Sequence, residues 1–586
     1  MKILFVGLNA KYIHSSLALY SLQSSCHIQG HEVEVVEYTI NQELLYILGD
    51  IARREPTVVG VVCYIWNREM VLKVTAALKK VLPKVTIVIG GPEASGDAAT
   101  ILRLNPSIDF VVQGEGEESV PELLTKIAHG DDPTKVKGIA TRNDGEIETN
   151  GGVRLVENLD NLPFPYQAEM MSGLANRIIY YESSRGCPFS CSYCVSSTTC
   201  GVRFRSVEKV IAELRFFIQQ GVKQVKFVDR TFNVNPEYYR EIWRFIAAEP
   251  GLTDFHFEIV ADLLSREDVD WLAAVSRGRF QFEIGVQSTC EETLLAIGRS
   301  NAWGRLQENV RSLLRAGNIH LHLDLIVGLP CEDWHRFRQS FNDVYALKPD
   351  MLQIGFLKLL PGTKIRQEAP EYGYVVLDHP PYEILANNFL SYKEVRQLKL
   401  LEEVFNQTYN SCRFVYTLSY LTTAFAGNAF EFYNQLSNWW DRQAFSGKSH
   451  SPEGILSLLL RFAEQLTAEH HTRVKELLKF DTLLDTSGAL KGEPLDWNRE
   501  HWERPKSACW RNESLIRRYI PHYCFTNWRD VKRKYPVEVF NANVPQWIAT
   551  GEWTDNAVTP VLFNTELKRP VWHVLTQDEL PTEDEH

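Results

Sequence analysis

Three cysteines fall within eight positions of each other, in Arg185-Gly186-Cys187-Pro188-Phe189-Ser190-Cys191-Ser192-Tyr193-Cys194. The chain has eleven cysteines, and the other eight (Cys26, Cys63, Cys200, Cys290, Cys331, Cys412, Cys509 and Cys524) are scattered. Thiols at this C-x3-C-x2-C spacing read as metal ligands sooner than as disulfide partners. Three thiolates can hold three irons of a [4Fe–4S] cube and leave the fourth iron open, as catalytic metal sites do. Gly186 and Pro188 suit a loop that wraps such a cluster. A structural zinc site is the alternative, with Cys200 able to supply a fourth ligand.

A second set of residues lies nearer the N-terminus. Gly90-Gly91-Pro92-Glu93 and Gly114-Glu115-Gly116-Glu117-Glu118 allow a backbone to approach a flat ligand closely, because glycine lacks Cβ. Tight strand-to-helix turns would require the same residues. Asn9-Ala10-Lys11-Tyr12-Ile13-His14-Ser15-Ser16 and Cys63-Tyr64-Ile65-Trp66-Asn67 are two further unusual turns.

These residues sit at the ends of elements that the hydrophobic pattern defines. Over residues 1–130 apolar runs at 2–7, 32–37, 58–63, 85–89 and 109–112 alternate with helical patterns at 15–28, 42–53, 67–82, 94–104 and 117–128. Near-continuous Val/Ile runs predict strands buried on both faces, hence a doubly wound parallel sheet. Ligands on such sheets bind beyond the carboxyl ends of the strands, where all four turns fall. Residues 138–177 break the rhythm with a hairpin signal at 143–145 and the proline-rich run Leu162–Tyr166, read as a linker. From 178 six strand patterns resume, at 178–183, 224–229, 255–260, 280–286, 320–327 and 352–357. They predict a partial (β/α)6 barrel with its chemistry at the carboxyl ends. The cysteines follow directly after the first of these strands. After about 380 the strand rhythm stops and longer amphipathic stretches follow. Nine of the fourteen tryptophans lie there, which argues for a packed, mainly helical domain. The expected organisation is 1–137, a Rossmann-type sheet; 138–177, a linker with hairpin; 178–380, the partial barrel; 381–577, an accessory domain; and 578–586, an acidic tail.

Composition is that of a globular α/β protein, with 44% apolar and 23% charged residues. A formal net charge of −12 argues against bulk nucleic-acid binding, which needs many phosphate-neutralising cations. There is no run of ~18 apolar residues to span a membrane and no cleavage signal, so a cytoplasmic location with reduced thiols is expected.

Residues 178–360 resemble the radical S-adenosylmethionine (SAM) superfamily. The resemblance implies that the open iron binds the methionine part of SAM, and that an electron from the cluster cleaves SAM to a 5′-deoxyadenosyl radical. Tyr193 then lies near the adenine. The Gly-Gly-Glu-like motif of the family is absent, and Phe227-Val228-Asp229-Arg230 stands in its place, so Asp229 becomes the candidate for the SAM amine. Glu258 ends the third strand pattern. Phe282-Glu283-Ile284-Gly285-Val286-Gln287-Ser288 and Asp324-Leu325-Ile326-Val327-Gly328-Leu329-Pro330 resemble the coproporphyrinogen-dehydrogenase-like branch. This implies SAM contacts from Glu283, Gln287 (ribose), Arg299 (carboxylate), Asp324, Gly328 and Leu329. Residues 1–130 resemble the cobalamin-binding domain placed before many such cores. The implied contacts are Asn9, Tyr12, His14, Ser15, Cys63, Tyr64, Trp66, Asn67, Gly90, Gly91, Pro92, Glu93, Gly114, Glu115 and Gly116. The Asp-x-His-x-x-Gly cobalt-ligand motif is missing. His14 is a possible cobalt ligand in its absence, although many radical SAM relatives bind cobalamin without a protein histidine on cobalt. The C-terminal part resembles an uncharacterised accessory domain. Together these imply a cobalamin-dependent radical SAM enzyme that methylates an unactivated carbon, with a flavodoxin- or ferredoxin-like electron donor. Two other readings remain: a radical SAM enzyme whose N-terminal domain serves recognition without cobalamin, and a non-catalytic cobalamin or redox sensor.

Overall fold

In a computed structural model the chain is described at residues 1–143, 145–198, 201–299, 302–485, 495, 497, 499–566 and 571–580. It divides into two compact units, Met1–Tyr392 and Lys393–His586.

The first unit opens with alternating strands and helices: β1 (Ile3–Asn9), α1 (Leu17–Ile28), β2 (Val33–Thr39), α2 (Leu44–Arg53), β3 (Val58–Val62), α3 (Arg68–Val81), β4 (Thr86–Gly90), α4 (Pro92–Ser95), α5 (Ala98–Leu104), β5 (Phe110–Val112), α6 (Gly116–His129), β6 (Ile139–Asn143) and β7 (Glu146–Asn150). The sheet order is β2-β1-β3-β4-β5-β6-β7. The first five strands are parallel, and β6 and β7 are antiparallel. Buried residues on both faces, such as Leu4, Val6, Val59 and Ile87 on one and Ile3, Phe5, Val58 and Val88 on the other, explain the unbroken apolar runs. Two features depart from the sequence reading. The expected helix at 94–104 is two short helices, because Gly96-Asp97 joins a poor helix former to a residue that favours an N-cap. The expected linker hairpin is β6–β7, and it completes the edge of this sheet; its turn residue Asp144 lies outside the described residues.

After α7 (Ala168–Leu174) come β8 (Ile179–Tyr181), β9 (Ser184–Gly186), β10 (Val202–Phe204), α8 (Val207–Gln219), β11 (Gln224–Phe227), α9 (Pro236–Ala248), β12 (Asp254–Ile259), α10 (Arg266–Ala273), β13 (Phe280–Gln287), α11 (Glu291–Ala296), α12 (Trp303–Ala316), β14 (His320–Val327), α13 (Trp334–Tyr345) and β15 (Met351–Phe356). Strands β15-β14-β13-β12-β11-β8 form one six-stranded parallel sheet in which β8 and β15 are the edges. Local signals set the helices. Asn235 caps α9 by accepting from the amides of Glu237 and Tyr238, with Pro236 as its first residue. Ser265 and Asp268 form a capping box on α10. One face of the sheet is apolar and sealed, with Phe227, Phe255, Phe257, Phe280 and Phe282 at most 1% exposed.

The second unit is mainly helical, with helices such as Ala429–Arg442, Pro452–Ala463 and Ala468–Leu484. It also holds a three-stranded antiparallel sheet of Val537–Ala542, Asp555–Asn564 and Val571–Val574. Trp440 and Trp510 are buried in its cores, in keeping with a packing role. The acidic tail lies outside the described residues from 581 onward.

Candidate functional site

The cysteine loop joins β9 to β10, and each end is pinned. Asp229, just beyond β11, is 1% exposed. It accepts hydrogen bonds from the Ser183 amide (3.0 Å), Ser183 Oγ (2.6 Å) and Ser184 Oγ (2.6 Å). Burial lifts its carboxyl to about 6 despite these bonds. Asp229, the residue expected at the SAM amine, thus anchors the start of the cysteine loop, with three donors on its roughly four acceptor positions. Further along, the Ser192 amide donates to Ile297 O (2.8 Å) and Ser192 O accepts from the Ile365 amide (3.0 Å). Cys187, Cys191 and Cys194 are all free thiols. Cys187 Sγ lies 3.7 Å from Thr231 Oγ1. Burial pushes the Cys191 thiol up, and the Arg299 guanidinium opposes it, with Nη1 at 3.9 Å from Sγ. Arg299 also donates to Gly285 O (2.5 Å). Its Nε is buried without a partner among the described residues. Three free thiols on one pinned loop, with an under-satisfied guanidinium beside them, fit an anionic thiolate-held cluster. Cys200, the alternative fourth ligand, lies outside the described residues.

The face of the six-stranded sheet opposite the phenylalanines is polar. Glu258 pairs in register with Glu283, and Glu283 with His322. Glu283 Oε2 accepts from Lys226 Nζ (2.9 Å) and lies 3.0 Å from His256 Nε2. Burial alone would raise the Glu283 carboxyl, but the His256 bond and the Lys226 ammonium hold it near 2. Glu258 lies beside that charge, and burial followed by repulsion from Glu283 raises it to about 7. His322 Nε2 is 3.0 Å from Asp324 Oδ1, and burial raises Asp324. At the end of β13 the register shifts between Gly285 and Gln287, and Gln287 adopts φ 68°. A Cβ on Gly285 would overlap the Gln287 amide, so glycine there lets Gln287 fold back over the strand end. Gly328 has φ 91°, and its carbonyl accepts from Tyr374 Oη (2.8 Å). Leu329 is fully buried among Leu294, Ile297 and Leu357, so it packs a core and does not line an open surface. Tyr193 is half-buried at the same cluster, beside Arg299 and Cys191.

The carboxyl edge of the first sheet separates its expected residues into two groups. Tyr12 is 66% exposed and Trp66 47% exposed. Tyr64 and Trp66 stack with centroids 4.4 Å apart and 9° between planes. Gly90 ends β4, and Gly91 has φ 105°; a Cβ there would stand 2.6 Å from Cys63 O. Pro92 then opens α4. Gly114 has φ 91°, and its Cβ would strike Arg154 O; Gly116 begins α6. At each of these glycines the space a Cβ would take is filled by the chain's own atoms, which makes tight turns, while exposed Tyr12 and Trp66 leave aromatic faces available to a flat ligand. The others are turned inward. Cys63 is fully buried, with its thiol pushed to about 12 by burial. Asn67, 1% exposed, bonds to Leu8 O, Val62 O and the Tyr64 amide. The Glu93 carboxylate holds Arg68 and Tyr382 Oη. Asn9 Nδ2 donates to His14 O and Glu37, and Ser15 Oγ donates to Ile178 O. His14 Nδ1 is 2.7 Å from Tyr180 Oη, which ties this turn to β8. Glu115 is held by Arg185 and Arg203. The side chains of Asn9, His14, Ser15, Cys63, Asn67, Glu93 and Glu115 thus build the turns that the sequence reading placed at a ligand.

Sequence reading passed over Lys226, His256, His322, Arg185 and Arg203. The first three were readable: Val225-Lys226-Phe227, Phe255-His256-Phe257-Glu258-Ile259 and Leu321-His322-Leu323-Asp324-Leu325 alternate apolar and polar residues, the mark of a sheet with one polar face. The arginines depend on contacts between distant segments.

Comparison with known proteins agrees with this architecture. Residues 3–124 match the B12 binding domain family, and residues 181–344 the radical SAM superfamily. The chain carries a B12-binding domain and a radical SAM domain. Residues 370–563 match a domain described as a protein of unknown function, DUF4080. Among curated relatives, the cobalamin-dependent radical SAM methyltransferase TokK of Streptomyces tokunonensis is 26% identical over 397 residues, covering 64% of this chain and 57% of TokK. An anaerobic magnesium-protoporphyrin IX monomethyl ester cyclase of Synechocystis is 30% identical over 257 residues, covering 43% of this chain and 51% of the cyclase. The chain thus spans a little over half the length of these relatives. The cobalamin-dependent SAM radical enzyme OxsB, solved with aqua-cobalamin, superposes with a TM-score of 0.59 at 16% identity, covering 84% of this chain and 80% of that one.

Proposed function

We propose that this protein is a cobalamin-dependent radical SAM methyltransferase acting on an unactivated carbon. The observation that carries the reading is the pinned loop of three free thiols beside Arg299, in a chain that also presents a glycine-turn edge with exposed Trp66. Bound together, the cluster and SAM supply a hydrogen-abstracting radical, and cobalamin supplies a methyl group.

The chain's own residues have separate tasks. Cys187, Cys191 and Cys194 hold the cluster. Arg299, fixed by Gly285 O, offers its remaining N–H groups to the cluster side and to the SAM carboxylate. Glu258, Glu283, Gln287 and Asp324 line the polar face that receives SAM, with Gly328 and Tyr193 at its border. Glu283 stays ionised because Lys226 and His256 hold its charge, whereas Glu258 can hold or release a proton near neutral pH. Tyr12, Tyr64, Trp66, Gly90, Gly91, Pro92, Gly114 and Gly116 cradle cobalamin. His14 Nδ1 bonds Tyr180 Oη, which leaves Nε2 as its ring nitrogen for any further partner; the reading assigns no histidine to cobalt. The labour divides among 1–137, 178–380 and an accessory segment at 381–577. An external one-electron donor of flavodoxin or ferredoxin type completes the reading. Among the described residues no helix is long and apolar enough to cross a membrane.

The test is anaerobic incubation of the reconstituted protein with SAM and a low-potential reductant. Formation of 5′-deoxyadenosine by the native chain, and its loss in Cys191→Ala, is the expected result. Equal cleavage by both would overturn the reading.

A further inference from the structure

The stem of the cysteine loop is the antiparallel ribbon β9–β10, in which Arg185 and Arg203 stand directly opposite each other. Two like charges facing across a ribbon repel. The compensation comes from the first sheet. Arg203 grips Glu115 with two bonds of 2.6 and 3.0 Å. Arg185 Nη1 lies 3.2 Å from the same carboxylate, and its Nη2 lies 2.5 Å from Glu117. Its Nε holds Glu182 at 2.8 Å. Glu115 also accepts the Val156 amide at 2.6 Å. The Arg185 and Glu117 side chains are only 11% and 8% exposed, so water cannot replace either partner. Fork-to-carboxylate bonds of this kind fix orientation as well as distance.

Neither side of the clamp has slack. Gly186, φ 100°, sits so close to Gly201 O that a Cβ would collide with it, and Gly114 is equally tight against Arg154 O. The turn that presents Gly114 and Gly116 is thus bolted to the stem that presents Cys187.

We propose that this clamp transmits occupancy of the glycine-turn site to the cysteine loop and back, with Arg185 and Arg203 as positioning residues. What the two sites hold rests on the function proposed above. A coupling between binding sites is reciprocal, so if the oxidised and reduced clusters set different affinities for a ligand on the first sheet, that ligand shifts the cluster's potential by the same free energy.

The experiment uses the full chain and two conservative variants, Arg203→Lys, which keeps the charge but loses the fork, and Glu115→Gln. In iron-free protein, alkylation of Cys187, Cys191 and Cys194 by iodoacetamide is timed and mapped by mass spectrometry. Both variants are expected to react roughly tenfold faster, the factor set by losing one charge-assisted bond. Alkylation at the native rate in both would overturn the clamp. In protein with a reconstituted cluster, the midpoint potential is measured by electron paramagnetic resonance with and without hydroxocobalamin. The native potential is expected to shift on corrin binding, and the variants, at full iron content, to shift by less than half as much. A native potential that ignores bound corrin, or variants that shift as the native protein does, would overturn the transmission. A native chain that takes up no corrin would instead overturn the function proposed above, and alkylation would still decide whether the clamp holds the loop.

Discussion

Replacing Asp229 should loosen the cysteine loop without touching a cysteine. Its carboxylate satisfies three donors inside the protein, from Ser183 and Ser184. In Asp229→Ala the hydroxyls can rotate toward other acceptors, but the Ser183 amide cannot. Leaving one buried donor unsatisfied costs about 1–3 kcal/mol, and the cavity adds to it. A loss of about 3 kcal/mol lowers the midpoint of the Met1–Tyr392 unit by roughly 4 °C, at an unfolding entropy of about 2.1 cal/mol/K per residue. The pH dependence gives an independent signature. The folded carboxyl, raised by burial to about 6, exceeds the ordinary aspartate value, so the folded state binds the extra proton between about pH 4 and 6. Stability from this group therefore falls as pH rises through that window, by up to about 3 kcal/mol. Asp229→Asn removes the titration while keeping the shape. Subtracting its melting profile from that of the native chain between pH 4 and 7 isolates the effect. Iron content after reconstitution is expected to drop in Asp229→Ala. A variant that loads full iron and melts within about 1 °C of the native chain would refute the anchoring argument.

Other perturbations have defined outcomes. Gly91→Ala forces a side chain into φ 105°, ψ 172°, with Cβ 2.6 Å from Cys63 O; a cost of roughly 1–3 kcal/mol and loss of corrin uptake are expected in a titration followed by absorbance. Glu258 changes charge near pH 7 while Glu283 stays ionised, so the polar face gains one negative charge as pH rises from 6 to 8. Affinity for the cationic SAM should then increase by up to roughly tenfold, and Glu258→Gln should flatten the calorimetric pH profile; an unchanged slope would contradict the assignment. Trp66→Ala removes a half-exposed ring stacked on Tyr64, and should weaken corrin retention on gel filtration while leaving iron content unchanged.

Much of the fold was legible because burial writes itself into local pattern. The Val/Ile runs of β1, β3 and β4 are buried on both faces, and the strands of the six-stranded sheet fell within a few residues of their expected bounds. Asn235-Pro236 marked the start of α9 by chemistry that acts within a few residues. The cysteine loop was legible for the same reason, since its three thiols are neighbours in sequence. What escaped were contacts between distant segments. Asp229 looked like a free carboxylate at a strand end until Ser183 and Ser184 were found on it, and Glu115 looked like a ligand contact until Arg203, 88 residues away, closed on it. The polar face was visible as alternation, but which carboxylate keeps its charge depended on where Lys226 and His256 arrive.

The measurement that tests the central claim most directly is a cofactor count. The protein would be purified anaerobically from cells supplied with iron and cobalamin, and iron, sulfide and corrin quantified by spectrum and extraction. Iron near four per chain together with one corrin is the expected result. A chain that loads its cluster but retains no corrin would contradict it and recast the first sheet as a recognition module.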